Sequence, residues 1–473
     1  MRTGSVNLSG RQAEMLSAAK SSPERRDLIE LLYRIATDED IRSGREEVHP
    51  DWVEIFQNSK DLVRSQVSAR TFGRLCDFFN ALLPYDPTVQ NLDPLKQCVS
   101  FLLGAGASKP EPSNIPTVKD LLPHLLERAR RLDRDDVTRL ADFCDSRNID
   151  NIEDLLTAAQ LATFCSRNST ILELLNYLLY RRDPESGSEE LGIDEIRRVR
   201  GRSRYTSPAL ADLSSVAFLQ DSLQVLFGLL ASTMLPAKPN YAHTAIADYS
   251  KLHSESSSII TTNYDCCMDM ALEAISHPLL YCVEFNNRAS QVTNGKNATR
   301  LLKLHGSLNW YYCETCQEVQ LIDYSTMVKQ YMDDRLPYPV IGICRDCGGQ
   351  RRGLLVPPLA MKFDLAPPLT PLLVNANENF EKADLICVVG FSFAEADIYI
   401  SRMLSKSMQT RQDQQMLIID PDPKISDKVK RKFKASIPNF DTARILRIVG
   451  DCADMLPRFL RGEFRRKDEK EVT

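Results

Sequence analysis

Six short apolar runs, each closed by small or polar residues, constrain this chain more than any other feature. They are CVSFLLGAGAS (98–108), SSIITTNYD (257–265), LLKLHGS (301–307), DLICVVGFSF (384–393), QMLIIDPDP (415–423) and ARILRIVGD (443–451). Each core is a continuous apolar stretch of about four to six residues without alternation, the pattern of a strand buried on both faces. Helical stretches such as MDMALEAI (268–275) and PLLVNANENFEKA (371–383) lie between them. Strand alternating with helix predicts an α/β fold with a doubly wound, Rossmann-like parallel sheet.

The rest of the 473 residues is organised around that sheet. Residues 1 to about 95 read as a helical region: RDLIELLYRIATDEDI spaces Leu28, Leu31, Leu32 and Ile35 at helical intervals. SARTFGRLCDFFNALLP repeats the pattern and stops at a proline. The expected catalytic domain covers about 96–465, with a helical insert at about 120–250 and a charged tail at 466–473. Within the insert, NIEDLLTAAQLATFC (151–165) and ILELLNYLLYRR (171–182) carry broad apolar faces. The polar stretch 183–208 reads as an exposed loop whose arginines are solvated.

Composition narrows the function class. Acidic residues number 64 against 59 basic, a net charge of -5, which gives no reason to expect a general nucleic-acid binder. No apolar run approaches the ~20 residues needed to span a bilayer. The start, MRTGSVNLSGRQAEML, lacks a signal-peptide core. A cytoplasmic location is expected.

Thirteen cysteines are many for such a chain. Cys313, Cys316, Cys344 and Cys347 form two Cys-x-x-Cys pairs. In a reducing compartment that spacing points to a tetrahedral zinc site. Four protein sulfurs leave no open coordination position, so the expected Zn²⁺ is structural, in a small ribbon over about 311–352. Isolated cysteines such as Cys98 and Cys387 read as small buried hydrophobes.

Ligands in open α/β sheets bind at the carboxyl ends of the strands. Gly104-Ala105-Gly106-Ala107-Ser108 ends the first run, as a phosphate-approaching turn or simply a tight strand-to-helix turn. Thr261-Thr262-Asn263-Tyr264-Asp265 ends the second, with Asn263 and Asp265 either facing a ligand or capping the next helix. Lys303-Leu304-His305-Gly306-Ser307 ends the third and holds one of only six histidines. Gly390-Phe391-Ser392-Phe393, with Asp397 downstream, ends the fourth. Asp420 ends the fifth, where acids bind ribose hydroxyls. Gly450-Asp451-Cys452 ends the sixth.

The order of these motifs over about 97–460 resembles the sirtuin superfamily: a Gly-Ala-Gly turn, Thr-x-Asn-x-Asp, Leu-His-Gly-Ser, a four-cysteine module, then Gly-x-Ser. The spellings GAGAS, TTNYD, KLHGSLNW and GFSF look closest to the sirtuin-like NAD hydrolases of bacterial antiphage defence. The resemblance implies that Gly104, Ala105, Gly106 and Ser108 hold the NAD pyrophosphate and nearby ribose, and that Thr262 belongs to the same cofactor-binding set. It places Asn263 and Asp265 beside nicotinamide and its ribose, and makes His305 the catalytic base. Ser392 and Asp420 would contact the adenosine half, and Cys452 would sit beside adenine.

The residue types suit the chemistry. The nicotinamide–ribose bond breaks through an oxocarbenium-like transition state. A positioned amide orients water and ribose hydroxyls, an ionised carboxylate accepts hydrogen bonds or stabilises positive charge, and a histidine takes a proton near neutrality.

Two departures bear on the acceptor. Sirtuin deacylases carry Asp-Phe-Arg after the Gly-Ala-Gly turn, where this chain has Asn114-Ile115-Pro116-Thr117-Val118. They present Phe-Gly-Glu after the cysteine module, where this chain has GLLVPPLAMKFD (353–364). An extended peptide then has less of an edge to pair with, which favours water over acetyl-lysine. The intact cysteine module favours a deacylase, and a non-catalytic NAD or ADP-ribose sensor is the third alternative. An NAD hydrolase needs restraint. The expectation is a homo-oligomer, or a regulatory partner such as a translocase-type ATPase.

Overall fold

A computed structural model describes residues 25–42, 59–82, 85–131, 135–146, 149–150, 225–285, 297–313, 315–323, 326–327, 343–344, 346–349, 351–356, 367–394 and 397–464, with scattered positions between 15 and 56 and between 152 and 159. The apolar stretch 171–182 and the polar stretch 183–208 lie outside the described residues, as does 357–364.

The chain divides into two compact units. One comprises residues 1–92 with 446–448 and 465–473; the other comprises 93–445 with 449–464. In the first, α1 (Arg25–Thr37), α2 (Lys60–Gln66) and α3 (Ala69–Leu82) surround a core of Leu32, Ile35, Trp52, Phe56, Val63, Leu75 and Phe79. Phe56 stacks on Phe79 with ring centroids 4.5 Å apart.

The second unit is built on a parallel seven-stranded sheet. Its strands are β1 (Val99–Leu103), β2 (Ser257–Thr261), β3 (Leu279–Leu280), β4 (Thr299–Lys303), β8 (Leu385–Val389), β9 (Gln415–Asp420) and β10 (Ile445–Val449), of which residues 446–448 are grouped with the first unit. Their spatial order is β10-β9-β8-β1-β2-β4-β3. All six runs singled out in the sequence are strands of this sheet; only the two-residue β3 has no counterpart there. Every residue of β1, β2 and β8 is buried, as expected of strands covered on both faces.

Helices alternate with the strands. They are α4 (Val118–Arg131), α5 (Asp135–Ser146), α6 (Tyr241–Leu252), α7 (Cys267–Ala274), α8 (Thr370–Lys382), α9 (Ile398–Thr410), α10 (Lys424–Ser436) and α11 (Cys452–Leu460). Strand order reverses between β1 and β8, so the topological switch point lies there, where such sheets open a ligand crevice.

A second, antiparallel sheet of order β6-β5-β7 comprises β5 (Gly306–Cys313), β6 (Val319–Leu321) and β7 (Arg351–Leu355). Apolar residues of α4, α5 and the helical segment 225–234 form one cluster with Leu308, Tyr311 and Leu355 of this small sheet. Gly353 allows Phe227 to lie against β7, because a Cβ there would sit 1.9 Å from its ring.

Candidate active site

Packing of the two glycine turns comes first. Gly104 donates its N–H to the Val389 carbonyl, and Gly106 donates to the Gly390 carbonyl at 2.9 Å. A Cβ on Gly104 would lie 2.6 Å from the Gly390 oxygen. Gly390 has φ +59, and a Cβ there would lie 2.3 Å from the Ala107 nitrogen. These glycines therefore press the β1 turn against the β8 turn at the switch point. The amides of Gly104, Gly106 and Ala107 are bonded within the protein, so the turn offers fewer amides to an anion than its spelling suggests. Residues 105–108 form a single 3₁₀ turn.

That turn delivers Ser108 to the end of β2. Ser108 Oγ donates to Asp265 Oδ2 at 2.9 Å. Asn263 Nδ2 donates to the Gly104 carbonyl at 3.0 Å and to Ser108 Oγ at 3.2 Å. Both amide protons of Asn263 are thereby committed, which leaves Oδ1 as the side-chain atom able to accept from a ligand. Asp265 is buried, and its Oδ1 accepts the Cys267 N–H at 2.9 Å at the start of α7. The two Asp265 oxygens thus divide between Ser108 and the amide at the start of α7.

The segment after β2 runs alongside the segment after β4. Leu304 N–H donates to the Thr261 carbonyl at 2.9 Å, and Leu308 N–H to the Tyr264 carbonyl at 3.0 Å. These bonds bracket Asn263 on one segment and His305 on the other. His305 occupies the two-residue turn between β4 and β5 and is 4% exposed. Gly306 makes the turn possible: its φ is +81, and a Cβ would lie 1.9 Å from the Leu354 oxygen. The Val356 N–H donates to the His305 carbonyl at 2.9 Å.

His305 Nε2 lies 2.9 Å from the Tyr399 hydroxyl and 3.3 Å from Asp397 Oδ1. Asp397 is buried at the N-cap of α9. Burial, followed by the nearby Asp397 carboxylate, pushes the Tyr399 phenol well above its ordinary pKa, so this hydroxyl keeps its proton. Asp397 sits five residues past Ser392 in the fourth run; Tyr399 carried no signal beyond following it. Tyr264 lies on the other side, its ring centroid 6.0 Å from that of His305.

The remaining sequence-derived residues spread around this cluster. Thr262 donates its N–H to the Leu103 carbonyl at 3.1 Å. Cys452 is buried with its sulfur 3.6 Å from the Gly106 carbonyl, beside the glycine turn. Burial, then the Asp451 carboxylate, pushes its thiol pKa up to about 12. Asp420 ends β9, and its Oδ1 accepts the Asp422 N–H at 2.9 Å. Burial, more than the neighbouring Asp422, raises its pKa above the ordinary carboxylate range. The Ser392 side chain is exposed, and its carbonyl accepts from Lys428 Nζ at 3.1 Å.

Two buried groups escaped sequence reasoning. His243, in α6, sits against Ser108; the spacing Asn240-Tyr-Ala-His243 at a helix start was the available signal. Lys303, the charged last residue of β4, is 1% exposed and bonded to Asp269.

Cys313, Cys316, Cys344 and Cys347 come together at the tip of the small sheet, their sulfurs all within 4.8 Å of one another. The pairs Cys313–Cys347 and Cys316–Cys344 are 3.4 and 3.7 Å apart. A tetrahedral site with Zn–S bonds of ~2.3 Å needs sulfurs ~3.8 Å apart, so the donor set fits zinc. Cys344 N–H donates to the Gly349 carbonyl at 2.7 Å, and Gly348 N–H to the Cys344 carbonyl at 2.9 Å, closing the second pair into a tight knuckle. Cys387 is buried as expected, while Cys98 is only half-buried. No helix among the described residues is long and apolar enough to cross a membrane.

Residues 257–438 match the SIR2-like domain family. No curated protein sequence matches the chain. Among solved structures, a complex of a Sir2 homologue with NAD is 17% identical, with a TM-score of 0.39 over 78% of this chain and 90% of that one. A mutant Sir2 homologue bound to ADP-ribose is 16% identical, with a TM-score of 0.38 over 80% of this chain and 94% of that one.

Proposed function

We propose that the chain is an NAD glycohydrolase, cleaving NAD to nicotinamide and ADP-ribose. The observation that carries this reading is the pair of backbone bonds, Leu304 to Thr261 and Leu308 to Tyr264, that set His305 and Asn263 on adjoining segments at the carboxyl end of the sheet. The match of residues 257–438 to the SIR2-like domain supports NAD as the substrate.

In this reading Asn263 Oδ1 accepts from the attacking water or a ribose hydroxyl, which aligns the nucleophile. His305 takes the proton that the hydroxyl or water sheds as the bond to nicotinamide breaks. In the same reading the Asp265 carboxylate, held by Ser108 and the Cys267 amide, stabilises positive charge on the ribose or accepts from the carboxamide. Asp397 stabilises the imidazolium that His305 becomes. The glycine turn, Thr262, Ser392, Asp420 and Cys452 bound the remainder of the NAD site. Cys313, Cys316, Cys344 and Cys347 would hold a zinc ion, which would fix the small sheet that begins at Gly306, one residue after the base.

A protein-lysine deacylase is the second reading, favoured by the four-cysteine module. Biologically, we place the hydrolase as a regulated NAD-depleting effector in antiphage defence, restrained by homo-oligomerisation or by a translocase-type ATPase. The motif resemblance supports that placement.

The test is chromatography of products from NAD with and without an acetyl-lysine peptide, beside His305→Ala and Asn263→Ala. Nicotinamide and ADP-ribose without peptide, lost in both variants, is the expected result. Nicotinamide released only with peptide makes the protein a deacylase. Binding without turnover, in the presence of any activating partner, makes it a sensor.

A further inference from the structure

Ser108 stands at the centre of a hydrogen-bond chain whose far end has no assigned role. His243 Nε2 lies 3.3 Å from Ser108 Oγ, and the imidazole is 1% exposed. His243 Nδ1 accepts the Asn240 backbone N–H at 3.2 Å. A backbone N–H can only donate, so Nδ1 carries no proton. Burial pushes the imidazolium of His243 below its ordinary range, against the pull of the Asp265 and Asp269 carboxylates. The ring is therefore neutral, and its single proton sits on Nε2, facing Ser108.

That tautomer determines the rest of the chain. A serine hydroxyl has one proton to give and two lone pairs to fill. At Ser108 both lone pairs face N–H donors, His243 Nε2 and Asn263 Nδ2. The hydroxyl proton then has one direction left, toward Asp265 Oδ2 at 2.9 Å. Asn263 keeps its amide nitrogen toward Ser108 because the same nitrogen donates to the Gly104 carbonyl, which can only accept.

We propose that His243 is a positioning residue that donates to Ser108 and so holds the polarity of the chain His243–Ser108–Asp265, beside an Asn263 amide that the Gly104 carbonyl already orients. It touches no substrate. The Asn240 cap anchors one face of the ring so that the other can only donate. Asn240 is itself tied to the β1 turn, with Nδ2 donating to the Ala107 carbonyl at 2.8 Å. The cap of α6 and the polarity of the site are thus one device. This inference rests on the NAD-cleaving reading for its kinetic arm, and on geometry alone for its spectroscopic arm.

The spectroscopic arm is nitrogen NMR of ¹⁵N-histidine-labelled protein, with the His243 signal assigned by comparison with His243→Gln. A neutral ring protonated at Nε2 is expected; a ring protonated at Nδ1, or an imidazolium, overturns the proposal. The kinetic arm compares two variants that both preserve the helix cap. Gln at this position accepts from the Asn240 N–H and still donates to Ser108, whereas Glu accepts only once ionised, so the two are compared across a pH series that extends to the alkaline side, where burial and Asp265 no longer keep the Glu protonated. His243→Gln is expected to keep turnover within about threefold, and His243→Glu to lose at least about tenfold in kcat.

A double-mutant cycle excludes a merely structural role. In a Ser108→Ala background, His243→Gln and His243→Glu are expected to turn over at the same rate, because the relay is already cut. Equal rates in the wild-type background, or the same Gln-to-Glu gap in both backgrounds, overturn the proposal. If the wild-type protein releases no nicotinamide, the NAD-cleaving reading fails, and the tautomer still decides the polarity of the chain.

Discussion

Lys303 Nζ lies 2.9 Å from Asp269 Oδ2 and 2.6 Å from the backbone carbonyl of Asp265, directly behind the candidate site. Asp269 Oδ1 accepts the Tyr281 hydroxyl at 2.6 Å, so the carboxylate is held from both sides. Burial pulls the Lys303 pKa down, but the Asp269 carboxylate, helped by Cys266 and Asp265, outweighs it and leaves the ammonium above its ordinary value. Lys303→Met removes one partner of a buried pair and strands the other. A loss of ~3–5 kcal/mol in denaturant unfolding is expected, with a smaller loss for Lys303→Met combined with Asp269→Leu. The raised pKa gives the pH dependence a sign. The stabilisation is fully present below the unfolded lysine value of ~10.4 and fades as pH rises through the folded value above it. Unfolding midpoints measured from pH 8 to 11.5 should therefore converge for wild type and Lys303→Met only at the alkaline end.

The Asp397 contact with His305 makes a second, graded prediction. A charged carboxylate stabilises the imidazolium formed in the reaction, whereas a phenol supplies only orientation. Asp397→Asn should lower kcat for nicotinamide release by about 10–100-fold, and Tyr399→Phe by less than about tenfold. Single-turnover kinetics at saturating NAD measure both without interference from product release. A larger loss for Tyr399→Phe would reverse the assigned roles.

The sheet was readable because six strands are buried on both faces and so appear as unbroken apolar runs. The cysteine module was readable because its spacing follows from metal geometry. What the sequence hid are relations across long separations. Ser108 and Asp265 are 157 residues apart, and His305 and Tyr399 are 94 apart. No local pattern pairs them. His243 was hidden for another reason: in sequence it is a cap residue, and it is one, but its second nitrogen serves the site. The strand β5 shares its apolar run with His305. A two-residue turn at Leu304–His305 separates β4 from β5 and has no glycine or proline of its own before Gly306.

Gly390 is the position where backbone and packing demands coincide. With φ +59 and a Cβ that would lie 2.3 Å from the Ala107 nitrogen and 2.4 Å from the Gly106 carbonyl carbon, alanine meets rigid backbone on the opposite turn. Gly390→Ala should cost ~1–3 kcal/mol from overpacking and strained φ. Because the displaced atoms are the β1 turn itself, NAD affinity measured by calorimetry should fall in the same variant. Gly348 supplies the control: it also has positive φ, +73, but a Cβ there meets nothing within 4 Å. Gly348→Ala should leave NAD affinity unchanged.

The four-cysteine cluster predicts a metal stoichiometry and a local, not global, response to metal loss. Elemental analysis of purified protein should give one zinc per chain, and Cys313→Ser or Cys344→Ser should abolish it. The four sulfurs tie the end of β5 to the segment leading into β7, whereas the parallel sheet holds its own buried strands. Chelation should therefore open the two cysteine knuckles, around 313–319 and 346–349, to limited proteolysis while leaving the unfolding midpoint of the large sheet in place. Activity should fall along with it, since β5 begins at Gly306 and β7 pairs Leu355 with that residue. A chelated protein that keeps full turnover and resists cleavage at the two knuckles would show that the cysteines act without metal.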